Sequence, residues 1–332
     1  MASTPEGRRL TEAHRLAQQQ VRDDFLAEFI ALWALLDSAR LDETGPGWIQ
    51  AVTRAVRGFR RESAAVATQY FWEFDAVEAP SSTPQPRVDW AEAEQGTSRP
   101  GGPVSPPSAP NTGRPPRRTN GVRRQRTSRD LDRVLERSGI RFDLDEPASR
   151  PRGERRTRIE FEVPELDEDR HDRATEVSLI VTGPVGQKSK RGRGKTEQVA
   201  RDESFVEASG AASRQVLTGG RQSLLRLIDE DTRLLGYIRV SDGDPCAFCA
   251  MLISRGPVYR TPNRASFQAH DHCACTAEPV YTTDTLWPGR AREFQKLWNE
   301  HIRNRHSGAD ARREWRRLYE RLQREQRRQQ IA

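Results

Sequence analysis

The sequence predicts an α+β protein that is mainly helical: an N-terminal helical hairpin, a disordered linker, a small zinc-stapled α+β domain and a basic helical tail. Three observations predict it. Apolar residues recur at three- and four-residue steps near both ends of the 332-residue chain. Ten of the 21 prolines fall between Pro80 and Pro116. All four cysteines, with two of the six histidines, fall between Cys246 and Cys275. Only 34% of the residues are apolar against 31% charged, so the packed part is smaller than the length implies.

Residues 1–78 read as the hairpin. A first helix is expected over 4–37, with Ser3 or Thr4 as its cap, Pro5 in its first turn and Glu6 placed as in a capping box. Leu10, Val21, Phe25, Phe29, Leu32 and Leu36 form its stripe. A turn is expected at Thr44-Gly45-Pro46-Gly47. Beyond it Ile49, Val52, Val56, Phe59, Ser63, Val66 and Tyr70 repeat at alternating steps of three and four, a heptad seam with one polar member. Too few heptads follow for an extended coiled coil. The pair reads as a hairpin that completes its core elsewhere, with an oligomerising helix pair as the alternative.

Residues 79–156 read as the linker, because so Pro-rich and apolar-poor a stretch cannot bury enough surface to offset its ordering entropy. Its second half carries Arg114, Arg117, Arg118, Arg123, Arg124, Arg126 and Arg129 with no acid among them. Such a block would bind polyanions weakly and with strong salt dependence, or serve as a solvated spacer. A short helix is expected near Asp130 to Arg137.

Residues 157–287 read as the α+β domain. Strands are expected at 158–163 and 176–182 from alternation and β-branched content. A helix from Thr196 to Thr218 should stop at Gly219-Gly220, and another from Ser223 to Leu235 should stop at Gly236. A short strand at Tyr237 to Val240 then leads into the turn Ser241-Asp-Gly-Asp-Pro245. Residues 288–332 read as the tail. Phe294, Leu297, Trp298, His301 and Ile302 make one stripe, and Trp315, Leu318, Tyr319 and Leu322 make a second beyond Ser307-Gly308.

Net charge is +7, and the tail alone supplies it, with twelve Arg and one Lys against six acids. Of the 55 basic residues only Lys188, Lys190, Lys195 and Lys296 are Lys, a bias that reflects GC-rich coding more than guanidinium chemistry. The longest apolar run, Phe29 to Leu36, is far short of the roughly 20 residues that span a bilayer, so no membrane contact is expected. The opening residues lack a secretory pattern, and the chain is expected to be made and kept in a cytoplasm.

Cys246-x-x-Cys249 and, after 23 residues, Cys273-x-Cys275, with His270 and His272 just before the second pair, favour tetrahedral zinc over disulfides in a reducing compartment. Six donors stand for four places: with Cys246 and Cys249 in two of them, His270, His272, Cys273 and Cys275 compete for the other two. A zinc deaminase shares Pro-Cys-x-x-Cys, yet neither His14 nor His171 has Glu two residues on, which removes its proton shuttle. Gly194-Lys195-Thr196 resembles the end of a phosphate-binding loop, but Ser189 stands where that motif needs Gly. The cations from Lys188 to Lys195 read instead as an exposed basic loop.

The stretches Gly210-Ala-Ala-Ser-Arg-Gln-Val-Leu217, Gly219-Gly-Arg221, Arg239-Val-Ser-Asp-Gly-Asp-Pro-Cys-Ala-Phe-Cys-Ala-Met-Leu252, Ser254-Arg-Gly-Pro-Val-Tyr259 and His270-Asp-His-Cys-Ala-Cys275 resemble the Mu F-like minor head proteins of tailed phages, most of all those of actinobacterial phages. The likeness covers about residues 175–282; Phe59-Arg-Arg-Glu-Ser-Ala-Ala65 fits less specifically. It implies a low-copy minor capsid protein of head morphogenesis, encoded near the portal and acting inside the procapsid, hence located in the virion head after assembly in the host cytoplasm. The implied partners are the portal, scaffold and major capsid proteins, with non-specific DNA contact through the Arg-rich linker and tail. The implied metal knuckle carries over to Cys246, Cys249, His270, Cys273 and Cys275; His272 stands outside the pattern. Such proteins are also labelled capsid maturation proteases. That label has little support here: there is no Gly-x-Ser-x-Gly turn and no His free of the cluster, the tail, the first helix or an acidic run. The reading is therefore a non-enzymatic assembly protein with no catalytic residues. A maturation protease and an internal DNA-associated virion protein are the alternatives.

Overall fold

The computed structural model describes residues 2–79, 166–241, 243–259, 267, 269–282 and 287–331. The linker expected over 79–156 and the strand expected at 158–163 lie outside them, apart from Ala79.

Helix α1 (Pro5–Trp33) starts where its cap predicts, with the Thr4 hydroxyl accepting from the Gly7 amide at 2.9 Å. Helix α2 (Leu41–Glu78) is antiparallel to it, and the Glu78 carboxylate takes the amides and hydroxyls of Ser3 and Thr4 at 2.5–2.9 Å. The hairpin turn is not at Thr44 to Gly47. It lies at residues 34–40, where Thr44 Oγ1 accepts from the Asp37 amide and donates to the Arg40 carbonyl. Gly45-Pro46-Gly47 run inside α2. Pro46 forfeits one backbone bond near the helix start, and burial of Trp48 beside Phe29 and Trp33 offsets it.

The strand expected at 176–182 is the second half of helix α3 (Glu168–Thr182). Glu168, Asp172, Thr175 and Leu179 lie on one helical face. The first three hold the fully buried Arg60 guanidinium of α2 at 2.8–3.0 Å, and Leu179 joins the core. That periodic contact overrides the β preference of the Val-Ser-Leu-Ile-Val run. The basic segment 188–195 is an exposed loop only at its end, 193–195: before it, helix α4 (Pro184–Gly192) carries Lys190 into a 9%-exposed site against Ser204 and Glu207, and Arg191 donates to the Ser38 carbonyl.

Helix α5 (Glu197–Glu230) is one element and does not stop at Gly219-Gly220. There it crosses α2 at backbone contact. A Cβ at Gly219 would lie 2.1 Å from the Arg60 carbonyl oxygen, and one at Gly220 would lie 2.7 Å from Ser63 Oγ and Gln18 Nε2. Ser63, the polar member of the α2 seam, bonds Gln18 and the Gly220 amide at this crossing. The hairpin thus completes its core on α3 and α5, through Phe25, Phe29, Val52, Val56, Phe59, Leu179, Ala212 and Val216.

Strand β1 (Gly236–Val240) is the centre of a three-stranded antiparallel sheet in the order β2-β1-β3. Its partners are β2 (Val258–Tyr259) and β3 (Thr276–Val280), with Gly236 opposite Tyr259 and Ile238 opposite Glu278. Pro279 is tolerated because β3 is an edge among the described residues. Between β1 and β2 lies helix α6 (Ala247–Ile253). The charged end forms α7 (Ala291–His301) and α8 (Gly308–Ile331), whose expected apolar stripes pack on α6, except for His301, which is exposed. Among the described residues no helix is long and apolar enough to cross a membrane.

Candidate metal centre

The turn after β1 delivers Cys246 to the first position before α6. Its thiol accepts from the Cys249 amide as a helix cap, which places Cys249 one turn on and facing inward. The second arm descends from residue 269 into β3 and brings His270, Cys273 and Cys275 to the same spot. His270 Nε2 lies 2.7 Å from Cys246 Sγ and 3.5 Å from Cys249 Sγ, and Cys249 Sγ lies 3.4 Å from Cys273 Sγ. Two donor groups result, Cys246 with Cys249 and His270, and Cys249 with Cys273 and Cys275, each with its ligand atoms within 4.8 Å of one another. All five expected donors therefore converge, and Cys249 belongs to both groups.

His272 does not join them. It takes a left-handed backbone (φ 64°), and its ring covers Gly210 of α5, where an added Cβ would lie 2.3 Å from Nε2. The Gly210 motif thus has a local cause: only glycine leaves room for this ring.

The donor set fits zinc. Tetrahedral Zn–S bonds of about 2.3 Å and Zn–N bonds of about 2.1 Å require S···S near 3.8 Å and S···N near 3.6 Å. Cys249 stands close to those spacings from Cys273 and from His270. The Cys246–His270 contact is shorter, a hydrogen bond that would open on sharing a metal. All four cysteines are reduced.

The electrostatics favour deprotonated sulfur. Hydrogen bonding from Cys249, and then from His270, pushes the Cys246 thiol down to about 4. Cys273 is held far below the ordinary thiol range, by hydrogen bonds from Cys249 and Cys275 and then by the charges of Arg221 and Arg239. Cys249 is driven up, as the group sharing its proton with Cys246, Cys273 and Cys275. The hydrogen bond to Cys246 raises His270 to about 9. A divalent ion would replace these shared protons.

Sequence reasoning missed two residues at the site. Arg221, on α5, donates to the carbonyls of Cys275 (3.1 Å) and Cys273 (2.5 Å), with Nη2 3.7 Å from Cys273 Sγ. Arg239, on β1, lies over the Phe267 ring at 3.6 Å, and Arg221 approaches the same ring at 5.3 Å. The signal was present: a cation directly after a glycine pair, and another between Ile238 and Val240 in a short apolar strand.

A cavity of 340 Å³ opens elsewhere, lined by Thr11, Arg15, Glu278, Trp287 and Arg290 among others, and includes none of the five donors.

A model of the VG15 protein family matches residues 167–301, a stretch that contains the whole donor cluster and all of α3 to β3. The chain is similar to the gene 15 protein of Mycobacterium phage D29, 30% identical over 107 residues that make up 30% of this chain. It spans about a third of that relative's length, 36%. No solved structure matches.

Proposed function

We propose that this chain is a phage minor capsid protein of head morphogenesis, acting without catalysis in procapsid assembly near the portal and holding one structural zinc ion. The observation that carries the reading is coincidence. The stretch that matches the VG15 family and includes the Mu F-like motifs is the stretch folded around the donor cluster. The cluster also sits where closure is needed, joining the start of α6 to the start of β3. A zinc ion there would supply no chemistry to a substrate; it would tie two chain arms together. Portal, scaffold and major capsid proteins are the partners this role requires, and the virion head is its location. Mass spectrometry of purified virions tests it: a few copies per particle are expected, and absence from the virion and the procapsid would refute it.

One observation favours a second reading, the maturation protease. Cys246 is the least buried of the four cysteines, starts a helix and touches His270, whose Nδ1 lies 2.6 Å from the Asp271 carbonyl oxygen. That is a nucleophile, base and orienting group in sequence. Co-expression with the phage's capsid and scaffold proteins separates the readings. The first expects unchanged masses; a specific cleavage lost in Cys246→Ala would establish the second.

A further inference from the structure

Arg221 is 5% exposed and Arg239 is 4% exposed, both beside the cysteine cluster. Burying a guanidinium costs several kcal/mol unless a negative charge lies close. Arg221 meets no carboxylate in its hydrogen bonds, which go to two carbonyls and a sulfur, and its Nη1 has no hydrogen-bond partner among the described residues. The negative charge within reach is sulfur: Cys249, Cys273 and Cys275 are all buried. Zinc with four thiolates carries −2, and with three thiolates and a neutral imidazole −1, so either site remains anionic in a low-dielectric setting. Fixed cations are what such a site needs; Arg221 would be costly to bury without a metal-thiolate group, and Arg239, opposite Ala277 on β3 two residues from Cys275, adds a second.

We propose that Arg221 and Arg239 are counter-ions built into the metal centre, and that Arg221 also holds the Cys273-Ala274-Cys275 backbone in ligating register from α5. They are positioning residues and touch no metal. The proposal rests on the zinc part of the reading above. Its second half follows from geometry: one guanidinium spans the carbonyls of both cysteines of the Cys-x-Cys pair, so α5 sets the spacing of their side chains. Phe267 covers both guanidinium groups and keeps water from screening them.

The test uses the full chain, wild type and as Arg221→Met, Arg221→Lys and Arg239→Met. Zinc per chain is measured by elemental analysis, and affinity by competition with a chromophoric chelator. Helicity is followed by circular dichroism, and thiolate ligation by the absorption of the Co²⁺-substituted protein. Wild type should hold one zinc. The Met variants should stay helical yet bind zinc on the order of 10–100-fold more weakly, with altered Co²⁺ absorption. Arg221→Lys should recover part of the loss, since it keeps the charge and gives up the two-carbonyl clasp. Affinities within about twofold of wild type would overturn the proposal. So would Met variants that are unfolded even with saturating zinc, since that assigns both residues to the fold alone. A wild-type chain that binds no zinc would instead sink the zinc reading itself.

Discussion

His14 lies on α1 with its ring stacked on Tyr70, centroids 4.3 Å apart, and Nε2 2.8 Å from Thr276 Oγ1 of β3. Burial drives its pKa down to about 3, so the folded protein holds it neutral. The unfolded chain binds that proton below about pH 6.5 while the native state does not, so stability rises with pH across this window. The His14 contribution is present above about 6.5 and is lost as pH falls toward 3, by about 2 kcal/mol between pH 7 and pH 5. Glu278, two residues from Thr276, works the other way: burial raises its pKa, so its protonation favours the fold at low pH. His14→Phe isolates the first effect, and thermal melts should show a shallower loss between pH 7 and 5 than wild type. An unchanged slope would place the titration elsewhere. Thr11, His14 and Gln18 are each 4% exposed, and this polar face was invisible in the sequence because hydrophobic periodicity scores only apolar residues. Gly219 was misread for a related reason, since glycine ends helices and also permits helices to touch. Gly219→Ala gains about 1 kcal/mol of helix propensity but drives a methyl into the Arg60 carbonyl. A net loss of about 1–3 kcal/mol is expected by chemical denaturation.

At the scale of elements, α8 divides into two faces. Ala311, Trp315, Leu318 and Tyr319 face inward, where Trp315 Nε1 donates to the Ala247 carbonyl and the Tyr319 hydroxyl to that of Pro245. Arg312, Arg313, Arg316, Arg317, Arg321, Arg324, Arg327 and Arg328 are all exposed and fall within about half a helical turn of one another around the axis. Of the acids on this helix Asp310, which pairs with Arg313, and Glu320 lie inside that arc. The array fits a phosphate backbone, and duplex DNA should bind non-specifically and with steep salt dependence. Substituting Arg316, Arg324 and Arg328 by Gln should weaken binding equally for all sequences and flatten the slope of log affinity against log salt by about one per lost phosphate contact. A sequence preference, or a slope that does not change, would show that α8 is not the contact. Both tail stripes were legible because charge leaves apolar residues conspicuous. The sheet was half legible: β1 alternates with nothing yet packs as a short apolar strand, whereas Thr276-Ala-Glu-Pro-Val280 contains a carboxylate and a proline. Only the partners of Glu278, the Ala2 amide and Thr11 of α1, explain its place inside. The gathering of Cys246, Cys249, His270, Cys273 and Cys275 into groups that could hold a metal was legible in their spacing, since metal geometry constrains sequence locally; the two arginines beside them were not, because they come from separate elements.

For the whole molecule, the question is how far the metal centre reaches. α1, α2 and α5, of 29, 38 and 34 residues, hold most of the helix among the described residues and share a core with α3. That core includes Ala274, between two donor cysteines, and none of the sulfurs. The other side of the centre is different. α6 begins at Cys246, α7 and α8 pack on α6, and their cluster holds Phe294, Trp315 and Tyr319 but nothing from α1 to α5. If zinc ties Cys246 and Cys249 to the β3 arm, removing it frees α6 to shift, and α7 and α8 lose their platform. The helices before β1 keep their mutual contacts. Zinc in small modules contributes on the order of 10 kcal/mol of folding free energy, a term as large as the whole stability of many domains. Chelation should therefore split one thermal transition into two. The earlier should belong to the C-terminal elements and expose Trp287, Trp298 and Trp315 to quenchers, while most of the helical circular dichroism persists to the later one. Cys249→Ser, which removes the donor common to both groups, should reproduce the split without chelator. A single unchanged transition in both experiments would mean that the cluster does not couple these parts.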